Sequence, residues 1–191
     1  KFPKKFFKVK TPFITFYMTR HNIFPTPLWH IEGAPQQLVD DLYNKCLELK
    51  QLYKVKDNRL RLSNQGGYQT TQFDWKQFYS EGIEHINKIV SKTLESPNWK
   101  ILGWWYNINP KGSWNAAHIH RGVDLALVWY LTDSYSTLNL INPSRIKGEE
   151  NLNLNPNKGD IIIFPADIVH YVMPNPKETD RISISMNLQL F

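Results

Sequence analysis

Cysteine is nearly absent from the 191 residues, with Cys46 the only example. A lone thiol cannot close an internal disulfide, and it excludes the cysteine-rich zinc sites. No apolar run approaches the roughly 20 residues of a helical membrane span, and the opening KFPKKFFKVK lacks the long apolar core of a secretory signal. Internal repeats, low-complexity tracts and Gly/Ser linkers are missing too, so nothing divides the chain. These absences predict one soluble, cytoplasmic domain over residues 1–191. Charge of one sign is only modestly in excess, 23 Lys and Arg against 17 acids for a formal net charge of +6. A nucleic-acid binder needs a basic stripe interleaved with aromatics. KKFFKVK is the only stretch of that kind, and it reads as a solvated terminal segment, so neither nucleic acid nor a membrane is the expected partner. An anionic small molecule fits the charge equally well.

What is present falls into two patterns. In APQQLVDDLYNKCLELKQLY, Pro35 stands where a first helical turn tolerates it, and Leu38, Leu42, Cys46 and Leu49 recur at helical spacing. DWKQFYSEGIEHINKIVSKTL predicts a second helix, capped by Asp74 with Gln77 reaching back, whose core face is Phe78, Ile86, Ile89 and Val90. From Lys100 the period changes to two in KILGWWYNINP, DLALVWYLT, STLNLINP, ENLNLNP, GDIIIFP and RISISMNLQLF. Six short runs separated by turn residues predict a β-sandwich or jelly roll. The expected class is α+β, mainly β: a largely helical wrapper over 1–99 buttresses one sheet of a β core over 100–191.

WNAAHIHRGVDLALVWYLTDS places His118 and His120 at the mouth of such a strand, and positions i and i+2 of an extended chain share a face. His170 follows the strand GDIIIFP. In a jelly roll, strands that oppose one another are far apart in sequence, so His170 can complete a three-point grip on a metal. Three ligands on one face leave the other open, as non-haem Fe(II) oxygenases require. Arg181 and Ser183, two apart at the head of RISIS, can clamp a carboxylate, since guanidinium forks onto such groups and stays charged when buried. Taken singly these residues are ordinary. An Arg at a strand start is usually a surface residue, and His21, His30 and His85 read as plain polar positions. Trp104, Trp105 and Trp114 read as core or rim, with a substrate platform as the alternative. GGYQTT is a tight turn or a lid.

The ordered set H-x-H, YLTDSYSTLNLINP, KGDIIIFPADIVHYVMP and RISISMNL resembles the 2-oxoglutarate and Fe(II)-dependent oxygenase superfamily. GGYQTTQFDW, NPKGSWNAAHIH and RISISMN are similar to a branch found in bacteria and their viruses, which implies that GGYQTT, with Gly66 and Gly67, belongs to the site. The resemblance implies a double-stranded β-helix and a hydroxylase that couples conversion of 2-oxoglutarate and O2 into succinate and carbon dioxide with oxidation of a further substrate. It also implies iron ligands His118, His120 and His170, with Arg181 and accessory Ser183 on the co-substrate. His120 stands where most relatives carry Asp or Glu, and a neutral imidazole leaves the iron one unit more positive. Asp124 is the alternative carboxylate ligand. Two rivals stand beside this reading: a cupin-like metal enzyme that does not use 2-oxoglutarate, and a non-catalytic jelly-roll binding module. Primary substrate and oligomeric state stay open.

Overall fold

The computed structural model describes residues 5–10, 15–20, 26–52, 63–70, 80–95, 97–143 and 151–191. The chain runs β1 (Lys5–Lys10), β2 (Thr15–Arg20), β3 (Trp29–Ile31), α1 (Gln36–Leu52), β4 (Asn64–Gln65), β5 (Tyr68–Gln69), α2 (Ser80–Leu94), β6 (Trp99–Asn109) and β7 (Trp114–His118). It continues through β8 (Leu125–Tyr130), β9 (Leu138–Leu140), β10 (Leu152–Leu154), β11 (Ile161–Pro165), β12 (His170–Val172) and β13 (Arg181–Leu190). All six period-two runs contain strands. They assemble with shorter ones into two antiparallel sheets, a six-stranded sheet ordered β3-β11-β8-β13-β6-β5 and a five-stranded sheet ordered β10-β9-β12-β7-β4.

Alternation along the strands decides what each face of the six-stranded sheet meets. Ile182, Ile184, Met186 and Leu188 of β13 join Trp129 and Leu127 of β8 and Tyr106 and Trp104 of β6 in a core closed by Val39, Leu42 and Cys46 of α1 and Ile86 and Val90 of α2. Each such side chain contributes roughly 1.5–3 kcal/mol on burial, so this layer carries much of the stability. On the other face, Ala126, Tyr130, Ile162 and Phe164 pack with Leu138, Leu140 and Ile168 between the two sheets. Helices, six-stranded sheet and five-stranded sheet thus form three layers.

Several expectations need adjusting. The buried stripe of α1 is Val39, Leu42 and Cys46, with Leu38 and Leu49 only half-buried, because the helix is rotated by about one position toward Val39. Burial pushes the Cys46 thiol up to about 12, which makes it inert core filler. Ile86 and Val90 are buried as expected and Ile89 is half-buried. Asp74, Gln77, Phe78 and His21 lie outside the described residues. The N-terminal half is a wrapper of strands as well as helices. Within the segment read as solvated, β1 pairs with β2 as an antiparallel hairpin, with Lys5 opposite Arg20. β3 and β5 edge one main sheet, and β4 edges the other.

The step from β4 to β5 explains Gly66 and Gly67. β4 pairs with β7 in the five-stranded sheet, whereas β5 pairs with β6 in the six-stranded one, so the chain changes sheets within a few residues. Gly66 adopts φ +74°, a conformation side chains disfavour. A Cβ on Gly67 would lie 2.6 Å from the Ile108 carbonyl oxygen and closer still to Asn64 Oδ1. Asn64 bridges the turn by donating to the Tyr68 carbonyl at 3.1 Å, and it exchanges amide hydrogen bonds with Asn109 at 3.1 and 3.2 Å.

Candidate metal centre

His118 is the last residue of β7 and lies directly opposite His170, the first residue of β12. The paired histidines therefore close β7; they do not open β8, which begins only after a turn with Gly122 at φ +77°. His120 is just beyond the strand end and is fixed by its backbone N–H, which donates to the Ala166 carbonyl at 2.8 Å. The ring centroids are 4.2 Å apart for His118 and His170, 5.1 Å for His120 and His170, and 5.2 Å for His118 and His120. One ring nitrogen from each lies within 4.8 Å of the other two.

The second ring nitrogens explain this convergence. His118 Nδ1 donates to the Ala116 carbonyl at 2.7 Å, and His170 Nδ1 to the Ile168 carbonyl at 2.8 Å. His120 Nδ1 meets Asn187 Oδ1 at 2.6 Å. An acceptor oxygen on each Nδ1 fixes the proton there and leaves the Nε2 lone pair for a metal, the usual outer arrangement of a metal-binding imidazole. Burial holds all three below the ordinary histidine range, and His170, 4% exposed, is pulled down to about 3 with the two neighbouring imidazoles adding to the effect. Three neutral imidazoles suit a first-row divalent metal such as iron. Asp124 is elsewhere: its Oδ2 accepts from the Leu190 N–H at 2.8 Å, which ties down the end of β13. Among the described residues, the cluster contains no carboxylate.

Arg181 enters the same pocket from the opposite sheet. It is 4% exposed and donates to Asn115 Oδ1 at 2.8 Å and the Met173 carbonyl at 3.3 Å. Both partners are neutral, and among the described residues no carboxylate pairs with it. Burial lowers it to about 10, with Tyr130 opposing that shift, so it stays charged at neutral pH. Ser183 and Ser185 follow on the same face, and Asn107 beside them donates to Ser185 Oγ at 3.1 Å while its buried Oδ1 has no partner. An orphaned buried amide is costly unless a ligand completes it. The free space here is about 40 Å³, room for about three waters, so a larger anion must displace side chains or extend toward the adjoining cleft.

That cleft, about 540 Å³, opens beside His118 and His120. Ser63, Gln65, Gln69 and Thr70 from the diglycine segment line one side, with Trp105, Arg121 and Asn187 beyond. The turn is therefore part of the site wall. Trp105 is half-buried, its ring 5.6 Å from His120, whereas Trp104 is in the helix-side core and Trp114 is 43% exposed. His30 pairs with Asp160 at 2.9 Å and His85 stacks on Trp129 at 5.3 Å, both away from the cluster. Asn107, Asn115, Tyr130 and Asn187 were not legible as site residues. Only Asn187 left a signal, since it continues the period-two row of Arg181 and Ser183.

Three converging imidazoles could hold a metal ion, with a buried arginine on the facing strand lining the same pocket. Residues 103–187 match the family described as "Putative 2OG-Fe(II) oxygenase". Over that stretch, which holds β7 to β12 and most of β6 and β13, the chain is similar to that family. No curated protein matches the sequence. Among solved structures, a Pseudomonas putida prolyl-4-hydroxylase is similar at TM-score 0.61 and 15% identity, covering 86% of this chain and 92% of that one. A viral collagen prolyl hydroxylase from Paramecium Bursaria Chlorella virus-1 is similar at TM-score 0.62 and 15% identity, covering 86% and 96%. The carbocyclase SnoK of nogalamycin biosynthesis is similar at TM-score 0.69 and 11% identity, covering 85% and 79%. At these identities the likeness is one of fold.

Proposed function

We propose that the chain is a 2-oxoglutarate- and Fe(II)-dependent oxygenase acting as a hydroxylase, a single double-stranded β-helix domain in which His118, His120 and His170 hold Fe(II) and Arg181 with Ser183 anchors 2-oxoglutarate. The observation that carries the reading is the buried, carboxylate-free Arg181 facing three neutral imidazoles across one pocket. The two prolyl hydroxylase neighbours support hydroxylation; carbocyclase and epimerase neighbours share the fold, so the outcome rests on the substrate and its pose.

When bound, iron with 2-oxoglutarate and O2 supplies the oxidation, releasing succinate and carbon dioxide and delivering oxygen to a substrate C–H bond. The chain's own residues bind, orient and exclude water. The carbonyl oxygens of Ala116 and Ile168 and the Asn187 amide aim the three rings. Val128, Leu138 and Val172 line the apolar part of the pocket, and Phe164 packs edge-on to His170 at 4.8 Å. Arg181 offers a fixed cation to a carboxylate that would otherwise be stranded in a nonpolar interior. Asn107 needs only an amide rotation to accept from Ser185 and present its Nδ2 to the same anion. With no acidic ligand, the iron site and Arg181 together are more positive than a His/His/carboxylate centre, which favours a dianionic co-substrate.

Burial of Arg181 within the pocket also favours this reading over a cupin-like enzyme without 2-oxoglutarate. The test is succinate release from 2-oxoglutarate by Fe(II)-loaded protein under air. The wild type should turn over, with His170→Ala at background and Arg181→Lys retaining part of the rate. No succinate from metal-replete wild type across a panel of candidate substrates would overturn the proposal.

A further inference from the structure

The wall of the cleft beside the histidines has a polarity that selects a substrate class. In the six-stranded sheet, Gln69 of β5 pairs with Asn107 of β6, and Asn187 of β13 pairs with Gly103 of β6. Gln69 and Asn187 thus sit on opposite sides of β6, four residues apart along it, with Trp105 between them. The corresponding Cα separation is roughly 16 Å from strand rise and spacing.

The two ends differ chemically. At the Gln69 end, Oε1 is a buried acceptor without a hydrogen-bond partner, flanked by Ser63 and Thr70. Thr70 Oγ1 already accepts from the Tyr106 N–H at 3.0 Å, so the buried acceptor left open there is Gln69 Oε1. At the other end, Asn187 spends Oδ1 on His120, which leaves its Nδ2 as a donor. Arg121 follows His120 directly and lines the same space, and among the described residues no carboxylate pairs with it. The described lining contains no acid at all. Between the ends lies the indole of Trp105, a flat apolar surface.

We infer that the primary substrate, within the oxygenase reading on which this rests, is an anionic molecule with a flat or apolar body. Its carboxylate or phosphate monoester lies at Arg121 and Asn187, its body lies over Trp105, and an N–H or O–H donor meets Gln69 at the far end. Cationic and purely hydrocarbon substrates are disfavoured, the first by Arg121 and the metal, the second by the unsatisfied Gln69 acceptor.

Calorimetric titration of the Zn(II)-loaded protein, saturated with 2-oxoglutarate so that no turnover occurs, tests this. The probes are 3-(4-hydroxyphenyl)propionate, its neutral amide, the matching amine, 3-phenylpropionate without the phenol, and 4-hydroxyphenyl phosphate to separate the two anion sources. The hydroxylated carboxylate or the phosphate should bind about tenfold more tightly than the amide and more tightly still than the amine, a difference in the range of a single charge-assisted contact. Arg121→Gln should erase the preference for the anion, Gln69→Leu should erase the advantage of the phenol, and each should leave 2-oxoglutarate affinity as in wild type. An amide or amine that binds as well as the anions, a preference that survives in Arg121→Gln, or no binding by any probe would overturn the inference. Failure of 2-oxoglutarate itself to bind would instead count against the oxygenase centre, and it is measured first.

Discussion

The two faces of strand β13 differ in what their residues are for. Ile182, Ile184, Met186 and Leu188 lie in the helix-side core, while Arg181, Ser183, Ser185 and Asn187 face the histidines and the adjoining cleft. Both sets are largely buried, so exposure does not separate them. The first set satisfies itself by packing. The second leaves Arg181 short of charge compensation, and the β6 residue Asn107 beside it has a buried Oδ1 without a partner. A strand buried on both faces with one polar row is poorly explained by stability alone.

Substitutions should therefore separate the faces. The largest effect is expected from His170→Ala, which removes one of three converging ligands: metal affinity should fall by more than about 100-fold, beyond the loss typical of an outer partner, as read by competition with a chromogenic chelator. On the helix side, Ile184→Ala should cost about 2–5 kcal/mol of stability while the folded fraction still binds metal. Arg181→Met should do the reverse, leaving stability within about 1 kcal/mol of wild type, since a buried charge is exchanged for an apolar chain, while 2-oxoglutarate binding collapses. Urea unfolding alongside anaerobic co-substrate titration reads both. If Arg181→Met unfolds the protein, or Ile184→Ala selectively abolishes co-substrate binding, the division between faces fails.

Two smaller effects sharpen it. Asn187→Ala should weaken metal binding by about 10–100-fold by releasing His120, with little change in the unfolding midpoint and partial rescue in Asn187→Asp. The metal-free protein should also lose stability in acid. Its three histidines are held below their unfolded value of about 6.5, so protonation favours the unfolded chain. Their contribution is complete above about pH 6.5 and declines as pH falls toward about 3, where His170 protonates in the fold. Between pH 7.5 and 5.5 His170 contributes about 1.4 kcal/mol of the loss, His118 and His120 add to it in the same direction, and His170→Gln should reduce the total loss over that interval by the His170 share.

How much of this was legible follows from the same contrast. Alternation exposed the long strands, and residue type exposed His118, His120, His170, Arg181 and Ser183. The two-residue strands β4 and β5 carry too little pattern to show a period, and only Gly66 and Gly67 marked their turn. The end of β7 was misread as the start of β8, because imidazoles at i and i+2 share a side whether the strand is beginning or finishing. Asn107 and Asn115 stayed hidden because an asparagine in a strand has no characteristic spacing, and the role of each depends on a partner 78 or 66 residues away; Asn187 left only its place in the row of Arg181 and Ser183. Sequence alone left Asp124 as the alternative to His120; in the fold its carboxylate accepts from the Leu190 N–H, away from the three histidines.

The most direct test of the account is a crystal structure of the protein soaked anaerobically with Mn(II) and 2-oxoglutarate. The metal should sit about 2.0–2.3 Å from Nε2 of His118, His120 and His170, on the scale of ordinary metal–imidazole bonds, with the distal carboxylate of 2-oxoglutarate on the Arg181 guanidinium and the Ser183 hydroxyl. A metal bound through Asp124 with His120 turned away, or 2-oxoglutarate seated without contact to Arg181, would contradict it.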